Sequence, residues 1–266
     1  MLHLRIHFMI LLVLVFTSGD FAMAADASPE PSAAETFRET FSWRTLKGDF
    51  TSPFTTPAKY ALATGTALTA VAMIFKKEID EPINDAMKRD RPLGDDGTGD
   101  KFGQLVPNVL YFGSMLATYS ITGEARPLRR ANLMFRSTLH SGIVTIALKN
   151  TLRAGRPYNN DVKTSFPSGH SSSSFAFASA VAMEHEWYWG LGAYALATYV
   201  GASRINDHQH HFRDVLAGAT IGISYGMGVF YRMKEEETSG LASNVSWALL
   251  PTDDLAGATL IYKKAF

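Results

Sequence analysis

Apolar stretches rich in Ala, Gly, Ser and Thr alternate with short polar segments along most of this chain. Six of them are each long enough for a helix, at roughly 58–75, 105–121, 132–149, 170–184, 187–203 and 213–231. Gly218, Gly222 and Gly226 recur at four-residue spacing, which lets helix backbones approach closely. The pattern predicts an all-α protein, a bundle of about six helices.

The segments outside these stretches have their own patterns. Aromatic residues recur at near-helical spacing between Thr36 and Phe54, which predicts a short helix that packs on the core or on a membrane surface. The Gly- and Asp-rich segment 88–101 (KRDRPLGDDGTGDK) predicts an exposed loop. Alternating residues over 244–250, a turn sequence at 251–254 and a second segment at 256–262 predict a small C-terminal β-hairpin.

The N-terminus has the pattern of an export signal. Arg5 precedes an apolar run from Phe8 to Phe16, and Ala22-Met23-Ala24 is a small-x-small cleavage site before Ala25. We therefore expect a signal peptide over 1–24, a leader and short helix over 25–57, a helical domain over 58–235 and a tail over 236–266. This organisation predicts an exported protein, in the periplasm or at the periplasmic face of the envelope membrane.

Composition narrows the classes of protein without identifying one. The formal net charge is zero, so overall charge does not favour nucleic acid, and no such partner is expected. Cys is absent, which excludes disulfides, a thiol nucleophile and thiolate metal ligands. Hydrophobic residues make up 46% and charged residues 19%, which is ordinary for a globular domain.

Membrane association is predicted as peripheral rather than integral. The third apolar stretch has only twelve uncharged residues between Arg136 and Lys149, about 18 Å of helix against a hydrocarbon core of about 30 Å. Six spans after a cleaved signal would also place the loops that follow the third and fifth stretches in the cytoplasm. We therefore favour a periplasmic helical bundle that associates with the membrane peripherally, with an integral protein as the alternative.

Three segments contain candidate chemistry, and the first is basic. It runs from Lys149 to Pro157 (KNTLRAGRP), where Gly155 and Pro157 end a predicted helix. Lys149, Arg153 and Arg156 are thereby placed close together, three cations that repel one another unless an anion lies among them. A solvated basic helix end is the alternative interpretation.

The second segment is Pro167-Ser168-Gly169-His170, at the predicted start of a helix near His170. A helix N-terminus presents free backbone N–H groups and a positive dipole, which suit a phosphate. Ser168 adds a hydroxyl donor, and Gly169 allows the backbone to approach an oxyanion closely. An ordinary helix cap with a surface histidine is the alternative.

The third segment runs from Ser203 to Asp214 (SRINDHQHHFRD). If a helix starts at His210, then His210 and Asp214 lie one turn apart on one face. An aspartate that accepts the Nδ1–H would fix the imidazole tautomer and leave Nε2 as a base or nucleophile. Metal binding by His208, His210, His211 and Asp214 is the rival hypothesis.

Together the segments follow the order Lys-x6-Arg-Pro, Pro-Ser-Gly-His and Ser-Arg-x5-His-x3-Asp, with all eight key positions filled. In this they resemble the type-2 phosphatidic acid phosphatase superfamily, which includes bacterial nonspecific acid phosphatases, lipid phosphate phosphatases and vanadium haloperoxidases. The resemblance covers about 149–222 closely and the helical layout of 58–231 more loosely. The short spacing of nine residues between Pro157 and Pro167, and the segment 207–211 (DHQHH), are similar to the lipid phosphate phosphatase branch.

The resemblance implies a metal-independent phosphatase without a cofactor. It implies that His210 is the nucleophile and forms a phosphohistidine, and that Asp214 orients it. It also implies that His170 protonates the leaving oxygen and then activates water. The phosphate oxygens would be bound by protein cations and neutral donors, namely Lys149, Arg156, Ser168, Gly169 and Arg204.

The predicted substrate is a phosphorylated lipid. Phosphatidic acid, phosphatidylglycerol phosphate, undecaprenyl pyrophosphate and lipid A are candidates. A nonspecific acid phosphatase, a phosphotransferase and a vanadium haloperoxidase stay open as alternatives. A non-catalytic anion-binding protein is a further alternative, but it leaves His170, His210 and Asp214 without a role. The sequence does not fix the oligomeric state.

Overall fold

The computed structural model describes residues 32–94, 97–238, 246–251 and 258–263. The predicted signal peptide, 1–24, and residues 25–31 of the predicted leader lie outside the described residues. The described part is almost entirely helical, which confirms the all-α prediction. Its helices are α1 (Ala33–Thr40), α2 (Trp43–Thr55), α3 (Ala58–Ile74), α4 (Glu81–Asp90), α5 (Thr98–Gly103), α6 (Val106–Thr122), α7 (Ala125–Leu152), α8 (Gly169–Glu184), α9 (Trp187–Asn206) and α10 (Phe212–Thr238), with one π-helical turn at Lys76–Asp80.

Six of the described helices, α3 and α6 to α10, have 16 residues or more and correspond to the six predicted stretches. The largest difference is α7, which begins at Ala125 rather than near 132. Several arginines lower the apolar character of its first turns. These charges made the start of the helix hard to recognise in the sequence. In the fold, one of them, Arg129, is compensated by ion pairs with Glu184 and Glu237 of neighbouring helices.

The aromatic segment before residue 55 forms two helices, so the prediction of one short helix is wrong in this respect. The chain breaks before Trp43 because Ser42 caps α2, where its side chain accepts a hydrogen bond from Thr45 N (3.2 Å). In α1, Phe37 is buried and packs edge-on against Phe112 and Phe135, at centroid distances of 5.8 and 5.9 Å. This segment therefore packs on the helical core.

A buried ion pair also connects α2 to α7. The Asp49 carboxylate has no exposed surface, and it accepts hydrogen bonds from Nε and Nη2 of Arg136 at 2.7 and 2.6 Å. Glu236, near the end of α10, accepts a further bond from Arg136 Nη1 at 3.2 Å. Three helices distant in sequence thus meet at one guanidinium.

The prediction of an exposed loop over 88–101 is wrong in part. Helix α4 extends to Asp90 and ends where Arg91 adopts the left-handed conformation (φ 40°). Residues 98–103 then form α5, in which Gly99 and Gly103 are buried. These glycines, which are typical of a loop, serve here as small contact residues between packed helices.

The glycine series of α10 lies against α8, as its spacing predicts. A Cβ added at Gly222 would lie 2.7 Å from the backbone nitrogen of Ala176, and one at Gly218 would lie 2.9 Å from Ser171 Cβ. Gly226 makes a similarly close approach. The absence of side chains at these positions brings the two backbones into contact, and this contact fixes α10 relative to the N-terminus of α8.

Among the described residues, no single helix is both long enough and apolar enough to cross a membrane. The pair 58–74 and 76–90 meets both requirements when taken together, but it bends by 91° at the break. Large apolar side chains are nevertheless exposed around the bundle, including Ile121 (85%), Trp187 (75%) and Ile74 (74%).

Two short strands follow the helices. β1 (Ser246–Pro251) and β2 (Ala258–Lys263) pair antiparallel, with Ser246 opposite Lys263 and Pro251 opposite Ala258. The hairpin agrees with the alternating pattern of the tail. Residues 252–254 of the predicted turn at 251–254 lie outside the described residues.

Candidate active site

The N-terminus of α8 forms one wall of the site. Ser168 is the N-cap, fully buried, and its Oγ accepts a hydrogen bond from Ser171 N (3.3 Å). Helix α8 begins at Gly169, one residue before the predicted start, and His170 lies in its first turn. The Ser168 N–H donates to the backbone oxygen of Asp214 (2.9 Å), which joins this wall to the start of α10.

The basic segment approaches this helix end. A Cβ added at Gly169 would meet Lys149 Cε and Thr145 Cγ2 at 3.8 Å, so the Lys149 stem passes directly beside Gly169. The Lys149 ammonium donates to the Thr164 carbonyl at 2.6 Å. Arg153 is exposed and ends α7 in the left-handed conformation (φ 47°).

Arg156 connects the basic segment to the loop that contains the third motif. Its Nη1 donates to Gln209 Oε1 at 2.7 Å, and its Nε donates to Thr164 Oγ1 at 3.3 Å. The guanidinium is half-buried. It is therefore held beside the residue that precedes His210.

The loop between α9 and α10 buries His210. The Arg204 carbonyl accepts hydrogen bonds from the N–H groups of Gln209 (3.0 Å) and His210 (3.2 Å), and His208 turns the chain with φ 54°. His210 is left with 3% of its surface exposed.

The predicted helical relation between His210 and Asp214 is wrong, because α10 begins only at Phe212. The two side chains are nevertheless neighbours, with His210 Nδ1 3.8 Å from Asp214 Oδ2. That distance exceeds a hydrogen bond, so the carboxylate acts on the imidazole through charge. Asp214 Oδ2 instead accepts from Ser165 Oγ (2.5 Å) and from His211 N (2.9 Å).

The electrostatics of this pair are asymmetric. Burial lowers the pKa of His210 to about 4, the cations Lys149 and Arg156 add to the effect, and Asp214 offsets part of it. Burial would raise the pKa of the Asp214 carboxyl, but its hydrogen bonds and the adjacent imidazole hold that pKa below its ordinary value. At neutral pH the site therefore contains an uncharged imidazole beside an ionised carboxylate.

Arg204 and His170 meet a residue that the motifs do not contain. Asp100, in α5, places its Oδ1 3.1 Å from Arg204 Nη1 and 3.1 Å from His170 Nε2. Arg204 is 4% exposed, and burial lowers its pKa although Asp100 and Asp207 oppose that shift. Asp100 belongs to the Gly- and Asp-rich segment that was predicted to be a loop. Nothing in that segment of the sequence indicated a residue of the site.

Two further residues, which are not among the predicted site residues, form hydrogen bonds to the start of α10. Asn84 Oδ1 accepts from Phe212 N (3.0 Å), and the fully buried Asp80 accepts from Arg213 N (2.9 Å) as well as from the Arg213 guanidinium. They satisfy N–H groups that a helix leaves free in its first turn. Asn84 Nδ2 also lies 3.3 Å from His211 Nδ1, so His211 faces this clamp.

The eight predicted site residues lie near the C-terminal ends of α7 and α9 and near the N-terminal ends of α8 and α10. These four helix ends bring them to one place. Within the described ranges, no three His, Cys, Asp or Glu side chains are grouped as a metal site would require. The rival hypothesis of a metal centre at His208, His210, His211 and Asp214 therefore finds no ligand cluster there.

These features define an all-α protein in which several basic side chains and a helix N-terminus surround a buried histidine. Residues 4–237 match the family model of the PAP2 superfamily, and the chain belongs to that superfamily. This confirms the resemblance inferred from the three motifs.

Individual relatives are more distant. The chain is 28% identical to lipid phosphate phosphatase 2 of Arabidopsis thaliana, over 45% of its own length and 56% of the relative, so it spans about half of that protein. Among solved structures it is similar to LpxE of Aquifex aeolicus, with 21% identity, a TM-score of 0.47, and coverage of 58% of this chain and 94% of that one. It is also similar to a transmembrane PAP2 type phosphatidylglycerolphosphate phosphatase of Bacillus subtilis, with 18% identity, a TM-score of 0.39, and coverage of 76% and 97%.

Proposed function

We propose that this protein is a metal-independent phosphatase that hydrolyses lipid phosphates through a phosphohistidine at His210. The observation that supports it most directly is the state of His210, an imidazole buried to 3% exposure with its pKa lowered to about 4. An anion-binding protein would need only the cations. A nucleophile needs an uncharged nitrogen, and this environment supplies one.

In the first step, His210 Nε2 attacks phosphorus, and the bond from phosphorus to the leaving oxygen breaks. His170 transfers a proton to that oxygen, so the product leaves as an alcohol. Lys149, Arg156 and Arg204 offset the charge on the remaining phosphate oxygens, and the N–H groups at the start of α8 donate to them. The negative charge of Asp214 stabilises His210 as it becomes cationic.

In the second step, water attacks the phosphohistidine and the bond from nitrogen to phosphorus breaks. His170, now neutral, takes the proton from the water. Inorganic phosphate leaves, and both histidines return to their starting states.

An apolar groove whose lining adjoins two of the site motifs in the sequence favours a lipid over a small phosphomonoester. It has a volume of about 370 Å³ and lies between α2, α3, α7 and α10. Leu148 and Phe166 line it, and they are the sequence neighbours of Lys149 and Pro167. Along α10 it extends from Ala217 to Tyr225, about 12 Å at the helical rise of 1.5 Å per residue. We infer that the acyl chain of a substrate whose phosphate lies at His210 enters this groove.

The outer surface supports action at a membrane. Trp43, Trp187 and Trp189 are 71%, 75% and 59% exposed, and aromatic side chains of this kind suit a membrane–water interface. With the predicted signal peptide, we place the reaction at the periplasmic face of the envelope membrane.

The test is phosphate release in EDTA from a short-chain phosphatidic acid and from a small aryl phosphate. We expect the wild type to release phosphate from the lipid, and we expect His210→Ala to abolish this release. His208→Asn is the matched control, because Asn tolerates the left-handed conformation at 208, and it should retain activity. Comparable release from both substrates would instead indicate a nonspecific acid phosphatase, and no EDTA-resistant release would contradict the proposal.

A further inference from the structure

The short helix α5 packs over the site through its glycines. A Cβ at Gly99 would overlap Ser203 of α9, and one at Gly103 would lie 2.8 Å from His170 Cβ. The Gly103 carbonyl also accepts a hydrogen bond from Ser173 Oγ at 3.1 Å, which ties α5 to α8. The residue between these contacts, Asp100, is thereby held at a defined position.

The Asp100 carboxylate is shared among three partners. Its Oδ1 lies 3.1 Å from both His170 Nε2 and Arg204 Nη1, and its Oδ2 accepts from Gln104 Nε2 at 2.6 Å. One oxygen therefore contacts both the imidazole and the guanidinium that the proposed function places at the reacting phosphate. This contact is an ion pair by distance, and a negative charge there favours the tautomer with the proton on Nε2.

We propose that Asp100 is a positioning residue that makes His170 an effective proton donor, with Nδ1 as the atom that exchanges protons with substrate. This inference rests on the proposed phosphatase function. In the first step, the Nδ1 proton passes to the leaving oxygen while Nε2 keeps its proton beside the negative charge of Asp100. In the second step, the neutral ring takes a proton from water at Nδ1. Asp100 thus does for His170 what Asp214 does for His210.

The alternative role of Asp100 is electrostatic screening of Arg204. Removing the carboxylate would then change the binding of every phosphate substrate to the same extent. A role through His170 predicts a loss that depends on the leaving group, because only a poor leaving group needs protonation as its bond to phosphorus breaks. The two roles are therefore separable by substrate.

The experiment compares kcat/KM of wild type and Asp100→Asn on two substrates that share one lipid scaffold. The first is dioctanoyl phosphatidic acid, whose leaving group is an alkoxide. The second is its analogue with sulfur in the bridging position, whose thiolate leaves without a proton. We expect Asp100→Asn to lower kcat/KM on the oxygen ester by about a hundredfold, the scale of general acid catalysis, with less than about a fivefold loss on the sulfur analogue.

Two controls separate this effect from a damaged helix. Lys101→Ala alters an exposed neighbour in α5 and should leave both substrates unaffected. Asp100→Glu keeps the charge and should recover part of the oxygen-ester activity. An equal loss on both substrates, or a gain on both, would overturn the positioning role. If wild-type protein releases phosphate from neither substrate, it is the proposed function that fails, and this inference fails with it.

Discussion

Replacing His210 with Gln should make the stability of the protein less sensitive to acid. Burial is the largest influence on this imidazole, and it lowers the pKa from 6.5 to about 4. In the unfolded chain the same group takes up a proton near pH 6.5. Between pH 7 and pH 5 the unfolded state gains that proton while the folded state does not. The free energy of unfolding should therefore fall by about 2 kcal/mol through this one residue.

The sign follows from the lowered pKa. The stability associated with neutral His210 is fully present above pH 6.5, and it is lost as the pH falls toward about 4. Gln does not titrate, so the variant should lack this loss. Asp214 does not interfere in this window, because its folded pKa lies below 3.8 and it is ionised in both states from pH 7 to pH 5.

The assay is urea unfolding of both proteins at pH 7 and pH 5. Every other titrating group is common to the two, so the difference between their pH responses isolates position 210. We expect wild type to lose about 2 kcal/mol more than His210→Gln over this range. Equal losses would refute the neutral buried imidazole on which the nucleophile assignment depends. The same pKa predicts that His210 stays deprotonated down to about pH 5. Protonation of the nucleophile should therefore not lower kcat/KM of the wild type above that pH.

Three other perturbations test the groove, the helix contact and the clamp. Ala70 is an exposed residue that lines the groove, and Ala70→Trp should fill it. We expect kcat/KM on a long-chain lipid to fall by about tenfold, the effect of roughly two buried methylenes. Leu68→Trp, on the outer face, should not lower it. Gly222→Val should destabilise the protein by about 1–3 kcal/mol or more in urea, because its Cβ meets the α8 backbone, whereas Gly113→Ala, with open space around it, should not destabilise. Asn84→Ala should lower the free energy of unfolding by about 1 kcal/mol in urea, because the first amide of α10 loses its acceptor. No change in stability would refute the role of Asn84 in holding the start of α10.

The motifs could be found in the sequence because each contains rare chemistry at a fixed spacing. Lys149, Arg156 and Ser168 lie at or near helix ends that Gly and Pro mark, and His210 stands out within the His-rich segment 208–211. The all-α class was likewise predictable from the period of the apolar stretches, and the Gly218 series predicted which face of its helix packs closely.

The residues that support the site could not be predicted, since their roles depend on long-range contacts. Asp80 accepts from Arg213 across 133 residues, and Asp100 meets Arg204 across more than a hundred. Nothing local distinguishes either from a solvated acidic residue. The start of α10 was mistaken for a similar reason, because the bonds from Gln209 and His210 to the Arg204 carbonyl hold residues 209–210 outside the helix.

The ion pair between Asp49 and Arg136 limits how the protein can be shortened. The segment before residue 58 looks like a leader in the sequence, and a protein that begins there would retain every residue of the site. It would also retain Arg136, 3% exposed, after the loss of its buried partner. Removing one partner of a buried ion pair destabilises a fold by about 3–5 kcal/mol, a large part of the stability of an ordinary domain, and the remaining bonds to Glu236 would offset only part of that loss. Deletions that preserve folding should therefore end before Ser32, where the cap of α1 begins.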